Sequence, residues 1–164
     1  MNTLTSQQVL AALINAPASL VTATMQVLEP ADFDDWAHRT IYVDGLTLCT
    51  IADHQEPGSV IVQINRNLLA AGHYRNTDNG LRQAVMDLAG MAGHPEQLPM
   101  LATALIEERY RREVGAFALA AAEHATSSPL ADVDAALARI TELRRLRSRI
   151  TANAARLSTK AGAA

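Results

Sequence analysis

The sequence has 164 residues, enough for one domain that buries its own core without disulfides or metals. Hydrophobic residues make up 49% and charged residues 19%, which excludes wholesale disorder, and the low aromatic content of 4% favours helices over a β-sandwich. The single cysteine, Cys49, excludes an internal disulfide framework and a cysteine-based metal cluster. No apolar run approaches ~20 residues and no secretory leader is recognisable, so we expect a cytoplasmic protein without a membrane span.

Charge divides the sequence into an acidic front and a basic end. Residues 1–100 contain four arginines against ten carboxylates, whereas residues 101–164 contain nine arginines and one lysine against seven carboxylates. The chain is therefore an acidic front half joined to a basic tail. A GC-rich genome explains the preference for arginine over lysine more simply than a special need for guanidinium groups.

The first two predicted elements are short helices. In the segment TSQQVLAALINAP the apolar residues recur at helical spacing, with Thr5 or Ser6 as the expected N-cap and Pro17 as the stop. A second helix is predicted over residues 18–28, since Pro30 then interrupts the chain.

The polar stretch LEPADFDDWAHRTIY is either a catalytic or metal site or the start of a helix. Apolar residues step through it by about four, which predicts an amphipathic helix; they are Phe33, Ala37, Ile41, Gly45 and Leu48. The aspartates at 32, 34 and 35 then lie at its first turn, where carboxylates accept hydrogen bonds from unpaired backbone N–H groups. The stretch lacks the glycine and glutamate of a calcium loop, and His38 has no second histidine four residues on. We interpret its polarity as that of a helix start.

Two more helices are predicted before the chain changes character. The segment SVIVQINRNLLAAG alternates enough to suggest a strand, but Ser59 as a cap and Gly72 as a stop favour a helix. The segment HQEPGSV before it is a predicted turn, and GHYRNTDNG after it is a predicted loop. A further helix is expected over residues 81–91.

From Pro99 onward the sequence predicts two long helices joined by a tight turn at residues 127–129. The apolar residues that step by three or four along them, and that we expect at a dimer interface, include Ile106, Tyr110, Val114, Phe117, Leu137 and Ile140. A hairpin of this length has little globular body to cover its outer apolar stripe, so pairing with a second hairpin is expected. We therefore predict an all-α fold. It consists of a compact orthogonal bundle of short helices (residues 1–96), a long antiparallel helical hairpin that dimerises (residues 97–152) and a flexible tail (residues 153–164).

Signals of catalysis are absent from the sequence. It contains no GxxxxGK[ST] phosphate loop, GxSxG elbow, HExxH pair or CxxC motif, and its five histidines show no ligand spacing. We therefore expect no catalytic residue, no cofactor and no bound metal.

The basic run ARITELRRLRSRI is the strongest candidate by charge alone. Its arginines Arg144, Arg145, Arg147 and Arg149 spread around a helix instead of forming one stripe. A solvated helix that favours cations near its C-terminus is the simpler interpretation. Contact with phosphates or with an acidic partner is the alternative.

The order of these segments resembles the N-terminal domain of DnaB-type replicative DNA helicases. The specific part is the family pattern L-x-P-x-D-F followed by H-R and I-[FY], which this sequence matches at Leu28, Pro30, Asp32, Phe33, His38, Arg39, Ile41 and Tyr42. The segment QQVLAALINAP resembles the family's first helix, and Glu108, Arg109 and Arg111 or Arg112 lie where the family's hairpin pattern begins. The resemblance extends over most of the chain, but only residues 28–42 match a specific sequence pattern of the family.

The resemblance implies an all-helical domain that dimerises through its hairpin and builds a ring collar as a trimer of dimers. In the family this domain offers a surface to primase and helicase loaders. Ala11 and Ala12 stand where the first helix has glycine, and EQLPMLAT replaces a tyrosine pair before the hairpin. The sequence contains no RecA-like ATPase domain, so the resemblance implies the role of the collar and not that of the motor.

Two hypotheses follow from these patterns. The first is a non-catalytic assembly module of DNA replication, a homodimer or ring that binds a replicative helicase, a primase or a loader, with any DNA contact indirect. The alternative is a small helical nucleic-acid-binding protein that uses the arginine-rich C-terminal helix. An enzyme with an unrecognised site is a third class that no motif supports.

Overall fold

The computed structural model describes residues 3–49, 58–75, 79–124 and 129–161, and within them the chain is helical without a strand, as the predicted all-α fold requires. The α-helices are α1 (Thr3–Ile14), α2 (Ala18–Met25), α3 (Trp36–Thr40), α4 (Ser59–Ala70), α5 (Asn79–Gly90), α6 (Leu98–His124) and α7 (Leu130–Ala161). Shorter 3-10 turns lie at Pro30–Asp32, Leu46–Leu48, His73–Arg75 and Pro95–Gln97, and a π turn lies at Ile41–Gly45. The predicted turns over residues 54–57 and 127–128 lie outside the described residues.

Contacts divide the chain into two compact units, a head (Met1–Leu105) and a C-terminal unit (Ile106–Ala164). The sequence places a boundary at residues 96 and 97, just before α6 begins. In the structure the first two turns of α6 belong to the head, where Leu98, Ala102 and Leu105 are buried. Helix α6 therefore contributes residues to both units.

The core of the head is built from apolar faces spaced three or four residues apart on its helices. The buried side chains are Val9, Leu10 and Leu13 on α1, Val60, Ile64 and Leu68 on α4, and Leu81, Val85 and Leu88 on α5. The segment from Ser59 is thus a helix, as predicted, and not a strand. Its N-cap is Gly58, and Gly72 follows its end. Both glycines adopt positive φ angles, of 80° and 83°, where a side chain would be strained.

Several predicted helix boundaries differ from the structure. Helix α5 spans Asn79–Gly90 and not residues 81–91. Helix α1 begins at Thr3, so Thr5 and Ser6 lie inside its first turns and neither is its N-cap. Helix α2 ends at Met25, three residues before the predicted end. Ser59 is the first helical residue of α4 and not its cap.

The region after Glu29 is not the single amphipathic helix that its apolar spacing predicts. A 3-10 turn at Pro30–Asp32 comes first, and α3 begins only at Trp36. Asp35 is the N-cap of α3, and its carboxylate accepts a hydrogen bond from the backbone N–H of His38 at 2.9 Å. The predicted capping role of an aspartate is therefore confirmed at Asp35. Leu48, at the far end of the predicted face, is 60% exposed because the regular helix does not extend that far.

The C-terminal unit consists of the rest of α6 followed by α7. The guanidinium of Arg109, 15 residues before the end of α6, donates a hydrogen bond to Glu142, 12 residues after the start of α7, at 3.0 Å. Two helices that are joined by a short connection and touch about equally far from it must run antiparallel. The pair is thus the antiparallel helical hairpin that the sequence predicts.

The end of the chain differs from the predicted flexible tail. Helix α7 continues through residue 152 to Ala161, and Asn153 is buried. Apolar residues no longer set the periodicity beyond Ile150, so the pattern that predicted the helix stops before the helix does.

Candidate functional site

Residues 28–42, which carry the resemblance, form one packed unit in the head. The rings of Phe33 and Tyr42 stack with their centroids 4.7 Å apart and their planes inclined by 28°. The Tyr42 hydroxyl donates a hydrogen bond to the carbonyl oxygen of Leu28 at 3.3 Å, which ties the end of the unit back to its start. Leu28, Phe33, Ile41 and Tyr42 are all buried.

Charged residues of the same unit hold its backbone. The carboxylate of Asp32, fully buried, accepts the backbone N–H of Glu29 at 2.8 Å and closes the turn that Pro30 begins. The guanidinium of Arg39 donates from Nε at 3.0 Å and from Nη2 at 2.8 Å to the carbonyl oxygen of Phe33. Asp32 and Arg39 therefore stabilise the backbone of their own segment, which agrees with the interpretation of this stretch as structural.

His38 joins this unit to the first helix. The side-chain hydroxyl of Ser6 on α1 and the Nδ1 of His38 lie 2.7 Å apart and share a buried hydrogen bond. Burial lowers the pKa of His38 below its ordinary value, although the nearby carboxylates of Asp35 and Asp87 act in the opposite direction. The imidazole is therefore neutral at pH 7. No hydrogen bond joins its Nε2 to any residue in the described part of the chain.

A cavity of about 350 Å³ lies beside this histidine, between α1, α3 and α5. Its polar and aromatic lining comprises Gln7, Asp35, Trp36, His38, Gln83 and Asp87. Trp36, the single tryptophan of the sequence, remains 50% exposed. Sequence reasoning did not find this cavity, because its lining comes from three helices and no spacing of residues along the chain signals it.

Behind the cavity wall, Ser6 lies within hydrogen-bond distance of His38, and two aspartates line the same cavity, but this set is not a nucleophilic site. Ser6 is 3% exposed and its hydroxyl is bonded to His38, so it does not present an accessible oxygen to a substrate. A serine nucleophile needs both a base and access to the reacting carbon. The Ser6–His38 pair therefore links α1 to α3 and leaves the histidine at the cavity wall.

The residues predicted for the dimer interface lie at different depths in the C-terminal unit. Ile106 is buried, whereas Tyr110, Phe117 and Ile140 are half-buried. Val114 and Leu137 are exposed, at 36% and 48%. Leu119 and Leu130 are exposed as well, at 63% and 81%. The apolar stripe of the hairpin is thus covered at its base and open farther along.

The four predicted arginines also differ in their surroundings. Arg145 binds Glu142 on the same helix, with its Nε 2.8 Å from Oε2. Glu142 also accepts the hydrogen bond from Arg109, so one carboxylate serves two guanidinium groups. Arg149 is half-buried, whereas Arg144 and Arg147 are exposed. As their spacing predicts, the four do not form a single stripe.

Neither a metal centre nor a membrane segment emerges from the part of the chain that the structure describes. Within it, no three side chains of histidine, cysteine, aspartate or glutamate gather closely enough to hold a metal ion. None of its helices combines the length and the apolarity needed to cross a bilayer. No family model, curated protein or solved structure matches this chain.

Proposed function

We propose that this protein is a non-catalytic assembly module of DNA replication, which dimerises through its C-terminal hairpin and binds a replicative helicase, a primase or a helicase loader in the cytoplasm. The observation that carries the proposal is that large apolar side chains are exposed on both helices of the hairpin, at Val114, Leu119, Leu130 and Leu137, which calls for a partner surface. The link to replication rests on the sequence resemblance of residues 28–42 to the DnaB-type helicase collar.

The geometry of the hairpin favours a second copy as that partner. Val114 lies five residues after Arg109, and Leu137 lies five residues before Glu142, the residue that Arg109 binds. In an antiparallel pair, Val114 and Leu137 therefore lie at the same level. Exposed apolar side chains on both helices leave apolar surface that a second hairpin can cover, as in a four-helix bundle. A ring of such dimers is the higher assembly that the resemblance implies.

Light scattering coupled to gel filtration tests the dimer. We expect twice the chain mass at tens of micromolar, and a shift to monomer for Leu137→Asp, because a buried unpaired carboxylate opposes association. Leu69→Asp is the matched control, since Leu69 is also an exposed leucine on a helix, but lies on α4 of the head. It should leave the mass unchanged. A wild-type protein that stays monomeric throughout this range would refute dimerisation.

Affinity capture from the native cell tests the replication role separately. The tagged protein should retain a replicative helicase, a primase or a loader at salt concentrations that remove bulk DNA. Treatment with nuclease should not release that partner, since the proposed contact is between proteins. A dimer that retains none of these three partners would keep the assembly proposal and remove the replication proposal.

One observation favours nucleic-acid binding as a second candidate function. Arg139, Arg144 and Arg147 are exposed on α7 and make no ion pair with the described residues. Such guanidinium groups can contact phosphates, and each contact adds about one unit to the log–log salt slope of binding. We expect Arg144→Gln/Arg147→Gln to lower that slope by about two units if both bind phosphates, and Arg66→Gln, on the head, to leave it unchanged. No measurable binding at low salt would remove this candidate.

A further inference from the structure

The cavity between α1, α3 and α5 presents hydrogen-bond acceptors that no residue fills. Asp35 accepts the N–H of His38 through Oδ1, and Asp87 accepts the side-chain N–H of Gln83 through Oδ1 at 2.7 Å. The second carboxylate oxygen of each aspartate makes no hydrogen bond with the described residues, and neither does the Oε1 of Gln83. The Nε2 of the buried His38 makes no hydrogen bond with the described residues either, and it donates or accepts according to the tautomer of the ring. The free carboxylate and carbonyl oxygens of the lining can accept hydrogen bonds from a ligand that carries donors.

The charge of the cavity is equally one-sided. Its lining contains two carboxylates, from Asp35 and Asp87, and no lysine or arginine. The two arginines nearest in sequence are engaged elsewhere: Arg39 binds the carbonyl oxygen of Phe33, and Arg82 lies 4.9 Å from the centre of the Tyr74 ring. The head as a whole, which extends to Leu105, contains four arginines against ten carboxylates. The cavity also touches the N-terminal turns of α3 and α5, but two full negative charges exceed the partial positive charges of these turns, so the surroundings favour a cation.

The half-exposed indole of Trp36 narrows the choice among cations. Tryptophan is the aromatic side chain that attracts cations most strongly, and the planar guanidinium of arginine both stacks on such a ring and donates up to five hydrogen bonds. A lysine ammonium is a compact point charge with three donors and is more strongly hydrated. Planar stacking together with several in-plane acceptors matches the guanidinium better.

We propose that this cavity receives the arginine side chain of a partner protein, held between the Trp36 indole and the carboxylates of Asp35 and Asp87. Its volume of about 350 Å³ accommodates one long side chain and not a folded segment. The partner contributes a surface arginine, which reaches α3 and α5 while the rest of its contact lies outside the cavity. This inference depends neither on the hairpin dimer nor on a role in replication.

The single tryptophan makes the cavity directly observable. The capped tripeptide acetyl-Gly-Arg-Gly-amide is titrated into the intact protein while Trp36 fluorescence and the indole N–H resonance are recorded. The same titration uses the lysine peptide and the citrulline peptide, whose ureido group is neutral but has nearly the shape of guanidinium. We expect saturable binding of the arginine peptide with a Kd of about 1–10 mM, weaker binding of the lysine peptide, and about tenfold weaker binding of the citrulline peptide.

Three variants locate the binding. Asp87→Asn should weaken the arginine peptide about tenfold, because it removes a charge-assisted hydrogen bond at an exposed position that the fold tolerates. Ala84→Leu should block the cavity, since Ala84 also lines it. Glu96→Gln is the matched control: it removes one negative charge from an exposed site of the head, where Glu96 pairs with His94. It should not change the affinity, and all three variants should retain the wild-type helicity.

The outcomes separate the proposal from its competitors. Equal affinity for arginine and citrulline peptides would overturn it, because charge would then contribute nothing. Equal affinity for the lysine and arginine peptides would overturn the assignment of the ligand as a guanidinium group. If Asp87→Asn and Glu96→Gln weakened the arginine peptide equally, the peptide would be responding to the net charge of the head and not to the cavity, and the proposal would fail. Because the arginine comes from a different protein, peptide affinity should not change over the concentration range in which this protein self-associates. Displacement of the peptide by self-association would overturn that assignment, because a second copy would then occupy the cavity.

Discussion

The head and the C-terminal unit bury their apolar residues to different degrees. Helices α1, α4 and α5 of the head each bury three large side chains, and Phe33 is 0% exposed. In the described part of the C-terminal unit, large apolar side chains are buried at Ile106, Leu146 and Ile150, whereas Val114 and Leu137 remain exposed. Both regions show apolar residues three or four positions apart. The comparison therefore teaches that periodicity identifies an apolar face but does not say what covers it.

This difference has consequences for stability. Residues buried within the head contribute to its free energy of unfolding at any protein concentration. Apolar residues that are exposed on the hairpin contribute only when a partner covers them, so their effect depends on concentration. Substitutions that are chemically alike should thus behave differently in the two units.

The largest expected effect is the loss of the buried aromatic ring in the head. Phe33→Ala removes a fully buried side chain and its stack on Tyr42, and should lower the free energy of unfolding by about 3–5 kcal/mol. Phe117→Ala removes a half-buried ring from the hairpin, so its cost in dilute solution should be well under half as large. Urea unfolding at two protein concentrations measures both. Equal costs at low concentration would contradict the comparison.

The second prediction compares two glycines, one from each unit. A Cβ at Gly93 would overlap the backbone carbonyl of Ala11, an atom that cannot move without shifting α1. We expect Gly93→Ala to destabilise the head by roughly 2 kcal/mol or more, as overpacking against backbone does. A Cβ at Gly115, in the exposed interior of α6, meets nothing within 4 Å.

The control substitution, in α6, should change the stability in the opposite direction. Gly115→Ala should raise stability by up to about 1 kcal/mol, since alanine favours the helix more than glycine does. Thermal unfolding followed by circular dichroism gives both values. A stabilising effect of Gly93→Ala would show that α1 and the segment after α5 are not in close contact.

Within the hairpin, the ion pair between its helices provides the third prediction. Glu142→Gln removes the carboxylate that binds the buried Arg109 at 3.0 Å, and should destabilise the protein by about 1–2 kcal/mol, less than a fully buried pair because Glu142 is partly exposed. Glu107→Gln breaks an exposed pair with Arg111, with a distance of 3.6 Å, and should change stability by less than ~0.5 kcal/mol. If both substitutions cost the same, the Arg109–Glu142 contact would not be what joins α6 to α7.

The sequence predicted what depends on local periodicity and missed what depends on distant contacts. Spacing, capping residues and helix breakers predict the long helices α6 and α7, and they favour a helix over a strand for the segment that begins at Ser59. The division of residues 30–48 into several turns does not, because buried Asp32 and the capping Asp35 interrupt an apolar spacing that alone predicts one helix. The pairing of Ser6 with His38, which are 32 positions apart, has no local signal, and neither has the cavity beside it.

The smallest expected effect is a dependence of head stability on pH. Burial keeps the pKa of His38 below its ordinary value of 6.5, although Asp35 and Asp87 partly oppose this. The unfolded chain therefore binds a proton at a higher pH than the folded head does. Stability from this group is full above the unfolded pKa, falls as the pH drops towards the folded pKa, and levels off below it.

Urea midpoints measured between about pH 7.5 and pH 5.5 test this behaviour, because the histidine titrates in that window while most carboxylates do not. The His38→Gln variant should be less stable than wild type at neutral pH, because it loses the hydrogen bond between the imidazole and Ser6. Its urea midpoint should vary less with pH than that of wild type. His94→Gln removes a histidine whose side chain is 59% exposed and should retain the wild-type slope. If His38→Gln and wild type lost stability in parallel, the proton would be taken up elsewhere. The head would then differ from the C-terminal unit in its buried apolar residues but not in keeping a neutral histidine beside a cavity with two carboxylates.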